Sequence, residues 1–368
     1  MSSDIENLRE QIRDIDTQIL ELCAKRMSVC RQVGEYKRKH KLPVKDYKVE
    51  KQILEKTKSK AEDLGIYPEL AESMMKTLIK FSVIEQDEIK ALERSKRSTD
   101  TTYKVLVVGG HGNMGRWMAQ FFDSLGHDIQ ICDIAERPPQ SEFKDCPDIL
   151  EGSAWADIII LATPMSECQR YLELLSKEKV KAIVLELCSL KSPILNSIQK
   201  ANESGLNLVS IHPMFGPSTD FLSGKNIIIC DHQKSDKAAE QVSQIFKETS
   251  ANVLHLPIAE HDKYMSYVLG SSHLLNLLYG NILESSGLDL DRLMNVSGTT
   301  FNDQVDVSKT VANENQDLYF DIQTQNHESM NLIEKFEVML GELKRQIREN
   351  DRISFKKQMS KNSIYFTG

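Results

Sequence analysis

The 368-residue sequence lacks most features that mark secreted, membrane or metal-binding proteins. Its seven cysteines include no CxxC pair and no Cys/His pairing at ligand spacing, which argues against a zinc site or a disulfide framework and favours reduced thiols. No apolar run is long enough to span a bilayer, and the first residues, MSSDIENLRE, form no signal peptide. We therefore expect a cytoplasmic protein without a metal.

The sequence also lacks a strong charge of either sign. Lys and Arg number 46 against 54 Asp and Glu, a formal net charge of −8, so nothing favours binding to nucleic acid or to an anionic membrane. Hydrophobic residues make up 40% of the chain, as in ordinary globular proteins. Because the chain is too long for one core, the composition predicts two or three domains.

The first part of the sequence, residues 1–95, contains no strand-like run. Apolar residues recur three and four apart from Ile5 to Leu22, which predicts one buried stripe on a long first helix. The charged stretch ERSKRSTDTT (93–102) that closes this part is typical of a linker. The pattern predicts three helices, over about 4–39, 46–63 and 68–93.

From residue 103 to 258 the sequence changes to short β-branched runs separated by helical patterns. Near-continuous apolar strands that alternate with helices are typical of a mostly parallel sheet, so we expect a Rossmann-like α/β domain. Residues 259–368 indicate helices with long apolar stretches, which predict an all-α domain that self-associates. The strand candidates are YKVLVV, DIQICD, ADIIILAT, KAIVLEL, LNLVSI, KNIIIC and ANVLHL.

Polar residues interrupt the apolar faces of two predicted N-terminal helices. The spacing of the stripe on the first helix predicts an apolar residue at position 26, where the sequence has Arg26. Lys37, eleven residues later, lies on almost the same side of the helix as Arg26. On the third helix, Ser82 and Gln86 interrupt an apolar line in the same manner. Since a pure packing helix would carry leucine at positions 26 and 82, these polar residues indicate a role other than packing.

The segment VLVVGGHGNMGRW carries a GxGxxG motif directly after a strand and at the start of a helix. Its glycines permit a tight turn, and the helix N-terminus faces the pyrophosphate of a dinucleotide. The second strand ends at an aspartate whose carboxylate would accept from a ribose 2′-hydroxyl and repel a 2′-phosphate, which favours NAD over NADP. The predicted cofactor residues are Gly110, Gly112, Asn113, Met114, Gly115 and Asp133.

Two other strand ends carry groups suited to chemistry. In such sheets the reaction takes place outside the carboxyl ends of the strands. LATP places Thr163 at one end, and LVSIHPMFGP places His212, a natural base near neutral pH, at another. On the first helix predicted for the C-terminal part, His273 is a polar residue inside the apolar run LGSSHLLNLL and needs a partner.

The glycine loop, the segments IHPMFGP and AEHD (259–262), and the fused N-terminal helices resemble the bifunctional chorismate mutase/prephenate dehydrogenases of tyrosine biosynthesis. The resemblance covers nearly the whole chain in the same domain order. It implies the Claisen rearrangement of chorismate to prephenate and the NAD-dependent oxidative decarboxylation of prephenate to 4-hydroxyphenylpyruvate. It also implies a homodimer, whose mutase sites share helices, and feedback inhibition by tyrosine.

For the mutase, the resemblance assigns roles to individual residues. Arg9 matches the arginine that reaches the active site of the other subunit, and Arg26 matches the carboxylate clamp within the subunit. Lys37 and Gln86 match the two donors to the ether oxygen, and Ser82 matches a carboxylate contact. A pericyclic rearrangement needs no nucleophile or metal; it needs a dianion held in a compact conformer with donors at the breaking bond.

The second predicted helix contributes to the same site and contains one departure from the family. Asp46 and Glu50 match positions around the substrate hydroxyl. The family commonly has an arginine one residue before this glutamate, where the present sequence has Val49. We therefore expect mutase activity with some loss or rearrangement of substrate contacts.

For the dehydrogenase, the resemblance makes His212 the hydrogen-bond partner of the substrate's ring hydroxyl. Thr163 stands where the family often has a serine that assists this hydroxyl, and His273 matches a further active-site histidine. The family arginine that anchors a prephenate carboxylate is replaced by Thr310, with Lys309 beside it. Loss of a carboxylate's charged partner typically costs several kcal/mol if the site is buried.

Two alternatives remain open from the sequence. The replacement at position 310 allows an active mutase fused to a dehydrogenase for arogenate or another cyclic carboxylate. Arogenate retains the ring carboxylate, however, so it does not by itself explain the missing arginine. The second alternative is a non-catalytic one, in which the N-terminal helices serve only dimerisation or regulation.

Overall fold

The computed structural model describes residues 2–40, 46–87, 102–139, 141–219, 222–232 and 236–367. The linker predicted at 93–102 lies outside them except for Thr102. The chain divides into two compact units. The first comprises Met1–Cys188 and Ser197–Leu256, and the second comprises Ser189–Asn196 and Pro257–Gly368.

Three helices open the first unit and agree with the three predicted ones. Asp46 caps the second helix, because its carboxylate accepts from the backbone amide of Val49 over 3.1 Å. Pro68 begins the third helix, at a position where no backbone N–H is needed. The helices are α1 (Ser2–Lys39), α2 (Tyr47–Leu64) and α3 (Pro68–Asp87).

The apolar stripe of α1 is exposed in the single chain. The prediction that this stripe is buried is therefore wrong for the chain by itself. Helix α3 packs against both α1 and α2 but leaves the stripe from Ile5 to Leu22 exposed. Ile12 remains 57% exposed and Leu22 remains 65% exposed. An exposed stripe of Ile and Leu of this kind is typical of an interaction surface. The exposed members are Ile5, Leu8, Ile12, Ile15, Ile19 and Leu22.

An eight-stranded sheet forms the centre of the first unit, in the order β3-β2-β1-β4-β5-β6-β7-β8. All neighbours from β3 to β6 pair in parallel, and β7 runs antiparallel to β6. The mostly parallel Rossmann-like sheet is therefore confirmed. The strands are β1 (Lys104–Val108), β2 (Asp128–Cys132), β3 (Lys144–Asp145), β4 (Ile158–Leu161), β5 (Ile183–Glu186), β6 (Asn207–Pro213), β7 (Asn226–Asp231) and β8 (Asn252–Pro257).

The strand cores and the flanking helices bury a continuous apolar core. Phe121 and Phe122 of the first flanking helix are at most 1% exposed. Tyr47 of α2 is also buried and lies with its ring centroid 5.3 Å from that of Phe121. The N-terminal helices thus contribute a side chain to the core of the sheet domain. The flanking helices are α4 (Asn113–Ser124), α5 (Ile149–Trp155), α6 (Met165–Lys177), α7 (Leu195–Ser204) and α8 (Asp236–Lys247).

The second unit is helical, as predicted. A π-helical segment, Ser266–Ser271, joins its first two helices. Many large apolar side chains on these helices are exposed, among them Ile282, Leu340 and Phe366. None of the helices in the described part of the chain is long and apolar enough to cross a membrane. The helices are α9 (Ile258–Met265), α10 (Ser272–Ser285), α11 (Leu290–Asn295), α12 (Thr299–Ala312), α13 (Gln316–Gln325), α14 (Ser329–Arg348) and α15 (Arg352–Thr367).

Candidate active sites

Arg26 turns from α1 towards α3 and contacts one other predicted mutase residue, Ser82. Its Nη1 donates to the hydroxyl oxygen of Ser82 and, over 2.9 Å, to the carbonyl oxygen of Leu78. The thiol of Cys30 donates to the same hydroxyl oxygen over 3.3 Å. Cys30 was not singled out from the sequence, although its place four residues after Arg26 on one helix is a usable signal. The cluster presents a guanidinium, a hydroxyl and a thiol at one point between the helices.

The remaining mutase candidates lie on the same three helices. Glu50 is buried, at 5% exposed, one turn after Asp46, whose carboxylate caps α2. Lys37 is half-buried near the end of α1. Arg9 is exposed and pairs with Glu6 over 3.3 Å. The side chain of Gln86 lies outside the described residues.

The glycine loop after β1 is shaped by close backbone approach. Gly109 has a φ of +77°, which L-residues with side chains rarely adopt. A Cβ at Gly115 would lie 2.1 Å from the carbonyl oxygen of Gly109, so no side chain fits there. The loop leads directly into α4, and this cradle at a helix N-terminus fits the pyrophosphate of a dinucleotide. Gly109 precedes the predicted motif and was missed, although the double glycine signals it.

Asp133 follows β2 and binds the backbone of the glycine loop. Its Oδ2 accepts from the amide of His111 over 2.8 Å, and its Oδ1 accepts from the amide of Ala135 over 2.9 Å. The imidazole Nε2 of His111 lies 3.2 Å from Oδ1 of Asp145 on β3. Two carboxylates therefore flank one residue of the loop. A carboxylate has about four acceptor positions, so Asp133 retains capacity for a ribose hydroxyl.

Thr163 lies beside the glycine loop, just beyond the end of β4. Its methyl carbon would be 3.0 Å from a Cβ placed on Gly109. Its hydroxyl oxygen is buried and has no hydrogen-bond partner among the residues that the structure describes. Because an unpaired buried hydroxyl is unfavourable in the folded protein, this oxygen is a strong candidate for a ligand contact.

His212 lies within β6 and not beyond its end, since the strand continues through Pro213. The histidine is 5% exposed and stands opposite Ile228 of β7. After the strand, the amide of Met214 donates to the carbonyl oxygen of Asn226 over 2.9 Å. The ladder to β7 therefore fixes the histidine more firmly than the proline and glycine turn alone.

A buried acid, Glu186, was missed because a single glutamate in KAIVLEL gives no motif. Its side chain is fully buried at the end of β5. It accepts from the amide of Cys188 over 2.8 Å and from the hydroxyl of Ser210 on β6. Its carboxylate, together with the thiols of Cys168 and Cys188, lies within a 4.8 Å group of potential ligand atoms. The bond from Ser210 links β5 to its neighbour β6, which indicates a structural role for Glu186.

In the helical unit, His273 stacks on Tyr319. The centroid of the His273 ring on α10 lies 3.9 Å from that of the Tyr319 ring on α13, and the two ring planes meet at 14°. Burial lowers the pKa of His273 to about 4, so the imidazole is neutral at pH 7. Its Nδ1 is buried and accepts or donates no hydrogen bond within the described part of the chain. A ligand hydroxyl or carboxylic oxygen would satisfy such a ring.

Thr310 and Lys309 occupy different surroundings on α12. The hydroxyl of Thr310 donates to the carbonyl oxygen of Asp306 over 3.0 Å within the helix. Lys309 lines an apolar cavity of 280 Å³ together with leucines of α10 and α11. Of the two residues, only Lys309 offers a charge, and it does so at the wall of a mainly apolar cavity that Glu284 also lines.

Comparison with known protein families identifies three consecutive parts of the chain. The family described as chorismate mutase type II matches residues 8–87. The prephenate dehydrogenase nucleotide-binding domain matches residues 125–255, and the prephenate dehydrogenase dimerization domain matches residues 257–361. The second match begins after the glycine loop, so the assignment of that loop depends on its geometry.

Curated relatives extend over nearly the whole chain. A T-protein from Enterobacter agglomerans is 24% identical over 355 residues, covering 96% of this chain and 91% of its own. A T-protein from Haemophilus influenzae is 24% identical over 352 residues, covering 95% and 89%. The solved prephenate dehydrogenase from A. aeolicus, in complex with hydroxyphenyl propionate and NAD+, covers 74% of this chain and 99% of its own. Its TM-score of 0.59 at 22% identity shows a shared fold.

The fold and the glycine loop define a dinucleotide-binding enzyme domain that is joined in one chain to an N-terminal domain of three helices. The family matches specify both activities. The chain is a bifunctional chorismate mutase/prephenate dehydrogenase of tyrosine biosynthesis. The predicted resemblance is confirmed, and the alternatives of another dehydrogenase substrate or a non-catalytic N-terminal module are not favoured.

Proposed function

We propose that the mutase reaction takes place at the cluster formed by Arg26 and Ser82. The observation that supports this most is the guanidinium of Arg26 turned towards a hydroxyl on the facing helix. Chorismate carries two carboxylates, and a guanidinium beside a hydroxyl provides donors for one of them. On binding, the carboxylate would take the place of the carbonyl oxygen of Leu78 as acceptor.

The other mutase candidates would complete the substrate contacts. Lys37 lies three turns further along α1 and would donate to the ether oxygen, where negative charge develops as the bond breaks. Gln86 would supply a second donor to the same oxygen. Asp46 and Glu50 would face the substrate hydroxyl. Arg9, which is exposed in the single chain, would act in the site of a second subunit.

For the dehydrogenase, we propose that the glycine loop, with Gly110, Gly112 and Gly115, holds the pyrophosphate of NAD. Asn113 and Met114 lie at the start of α4, and Asp133 would accept from the adenosine ribose. NAD supplies the acceptor for the hydride when it is bound. The residues of this chain bind and orient it, and the carboxylates of Asp133 and Asp145 disfavour a 2′-phosphate.

The chemistry at the substrate hydroxyl is proposed for two residues of the sheet domain. His212 would take the proton of the ring hydroxyl as the hydride departs and carbon dioxide leaves, because a neutral imidazole is a suitable acceptor. Thr163 would hold the same hydroxyl through its otherwise unpaired oxygen. His273 would bind prephenate as a neutral hydrogen-bonding group. Lys309, beside Thr310, would replace the missing arginine as a point charge.

We also propose the division into a mutase domain at 1–95, a nucleotide-binding domain at 103–258 and a helical domain at 259–368. The exposed apolar stripe of α1 and the exposed apolar residues of the helical unit support a homodimer. The resemblance supports feedback inhibition by tyrosine. Seven free thiols support a cytoplasmic location, which cell fractionation would test.

The dehydrogenase assignment is tested by purified full-length protein with NAD and either prephenate or arogenate, followed through NADH absorbance. We expect rapid reduction with prephenate and slower reduction with arogenate. Reduction with arogenate alone would contradict the proposed substrate. The variant His212→Gln is expected to lose the reaction and to retain NAD binding, measured by fluorescence titration.

A further inference from the structure

Glu72 of α3 joins the mutase helices to the dehydrogenase sheet. Its Oε2 lies 3.1 Å from Nζ of Lys58 on α2, and its Oε1 lies 3.0 Å from Nζ of Lys76 on its own helix. The same Oε1 accepts from the hydroxyl of Ser223 over 3.0 Å. Hydrogen bonds from Lys76, and then from Lys58 and Ser223, outweigh partial burial and lower the pKa of Glu72 to about 2. The carboxylate is therefore fully charged at neutral pH.

Ser223 belongs to the segment 214–225 that connects β6 to β7. This connection begins immediately after His212 and Pro213. Trp117 of α4 holds its middle, because the indole Nε1 donates to the carbonyl oxygen of Thr219 over 3.0 Å. Glu72 holds the part near its end. The segment that leads away from the proposed dehydrogenase base is thus attached to a helix of the mutase.

The hydrogen bond from Ser223 to Glu72 differs from an ordinary surface ion pair. Exposed pairs contribute little to stability, but the side chain of Glu72 is only 17% exposed. Two lysines already compensate its charge, so the bond from Ser223 is not needed to neutralise the carboxylate. A hydrogen bond to a charged group is also stronger than a neutral one. Its specific effect is to fix where the connecting segment lies.

We propose that Glu72 is a positioning residue for the dehydrogenase, acting through Ser223 on the connection after His212. This proposal rests on the proposed role of His212 in that reaction. Helix α3 also carries Ser82, ten residues later and about 15 Å along the helix axis. One helix of the mutase therefore supports both active sites, and the dehydrogenase requires the mutase helices for full substrate affinity.

The test compares variants that separate the two contacts of Glu72. Ser223→Ala removes the hydrogen bond to Glu72 and leaves the ion pairs with Lys58 and Lys76 intact. Glu72→Gln weakens those ion pairs and keeps an acceptor for Ser223. We expect Ser223→Ala and Glu72→Ala each to raise the KM for prephenate about tenfold, with smaller changes in kcat. Glu72→Gln should recover most of the affinity. The matched controls are Ser218→Ala in the same connection and Glu69→Gln on the same helix, both exposed.

Three further measurements make the outcome decisive. Mutase turnover and NAD affinity should stay within about twofold of wild type in Ser223→Ala, because neither depends on the connection. The double variant Glu72→Ala/Ser223→Ala should be no worse than either single variant. An unchanged prephenate KM in Ser223→Ala, or an equal loss of NAD affinity and mutase turnover, would overturn the proposal. Full dehydrogenase activity in His212→Gln would instead overturn the proposed function, so the two failures are distinguishable.

Discussion

The guanidinium of Arg26 donates to the hydroxyl of Ser82, a residue 56 positions later on the facing helix. Ser82 in turn donates to the carbonyl oxygen of Leu78 over 2.5 Å. A cation at the buried side of a packing helix is unfavourable unless it is hydrogen-bonded. Here the hydroxyl oxygen of Ser82 and the carbonyl oxygen of Leu78 accept from it, which gives the interrupted apolar pattern a physical reason.

The first prediction concerns this cation. Arg26→Ala should lower mutase kcat/KM by about 30- to 150-fold, since a hydrogen bond from a charged group contributes about 2–3 kcal/mol. Dehydrogenase activity with added prephenate should persist. Lys25→Ala, which removes an exposed neighbouring cation, is the matched control and should retain mutase turnover. Equal turnover in both variants would exclude the proposed carboxylate contact.

The second prediction concerns the glycine loop. Gly115→Ala would place a Cβ 2.1 Å from the carbonyl oxygen of Gly109, so the backbone must shift. A cost of about 3 kcal/mol for such overpacking corresponds to about 100-fold weaker NAD binding, measured by fluorescence titration. Gly341→Ala on α14 meets no neighbouring atom and serves as the control. Wild-type NAD affinity in Gly115→Ala would show that the cofactor does not approach this loop.

The third prediction concerns the unpaired hydroxyl of Thr163. Thr163→Val keeps the shape of the side chain and removes the hydroxyl, so the dehydrogenase kcat should fall about 10- to 100-fold. Because the buried oxygen has no partner within the described residues, the protein should be as stable as wild type or more so. Thr163→Ser should restore most of the activity. A fall in thermal stability with unchanged kcat would instead indicate a structural role.

The fourth prediction concerns pH. The pKa of Glu72 is lowered from its ordinary value of 4.5 to about 2, chiefly by the hydrogen bond from Lys76. A carboxyl group whose pKa is lower in the folded than in the unfolded protein stabilises the folded state. This contribution is complete at pH values above the pKa in the unfolded chain, and it is lost as pH falls through the pKa in the folded protein. The difference in free energy of unfolding between wild type and Glu72→Gln should be constant above about pH 5 and vanish towards pH 2. Denaturant titrations across that range measure it, and a difference that grows on acidification would contradict the ion pairs.

The fifth prediction concerns the exposed stripe of α1. Ile12→Glu places a charge in the middle of a surface that we expect a second copy of the chain to cover. The variant should sediment with a smaller mass and lose mutase activity, because Arg9 could no longer reach a second site. Glu10→Gln changes a neighbouring charge outside the stripe and is the control. A monomeric wild-type protein with full mutase turnover would refute the shared site.

The sequence predicted the sheet well because its strands carry near-continuous apolar runs. All seven predicted strands form, whereas β3 was missed, since two residues, Lys144 and Asp145, have no apolar signature. The apolar stripe of α1 shows what the sequence could not predict. Its periodicity identifies a helix face, but nothing in one sequence distinguishes a face covered by its own chain from one covered by another.

The site residues show a similar limit. The positions of Arg26, Thr163 and the glycine loop follow from local patterns, because each interrupts or ends a regular element. The contact between Glu72 and Ser223 joins residues 151 positions apart, and neither residue stands in a motif. The stacking of His273 on Tyr319, and the burial that lowers the pKa of His273, depend on how the helices pack, so neither could be predicted from the sequence.

The most direct test supplies the purified chain with chorismate and NAD alone and follows NADH. We predict that chorismate is converted to prephenate and then to 4-hydroxyphenylpyruvate, with one NADH formed for each chorismate consumed. Arg26→Ala should slow NADH formation from chorismate by the same factor as its loss of mutase activity, and should leave NADH formation from added prephenate unchanged. Chorismate that remains unchanged, or prephenate that accumulates without NADH, would contradict a chain with both activities.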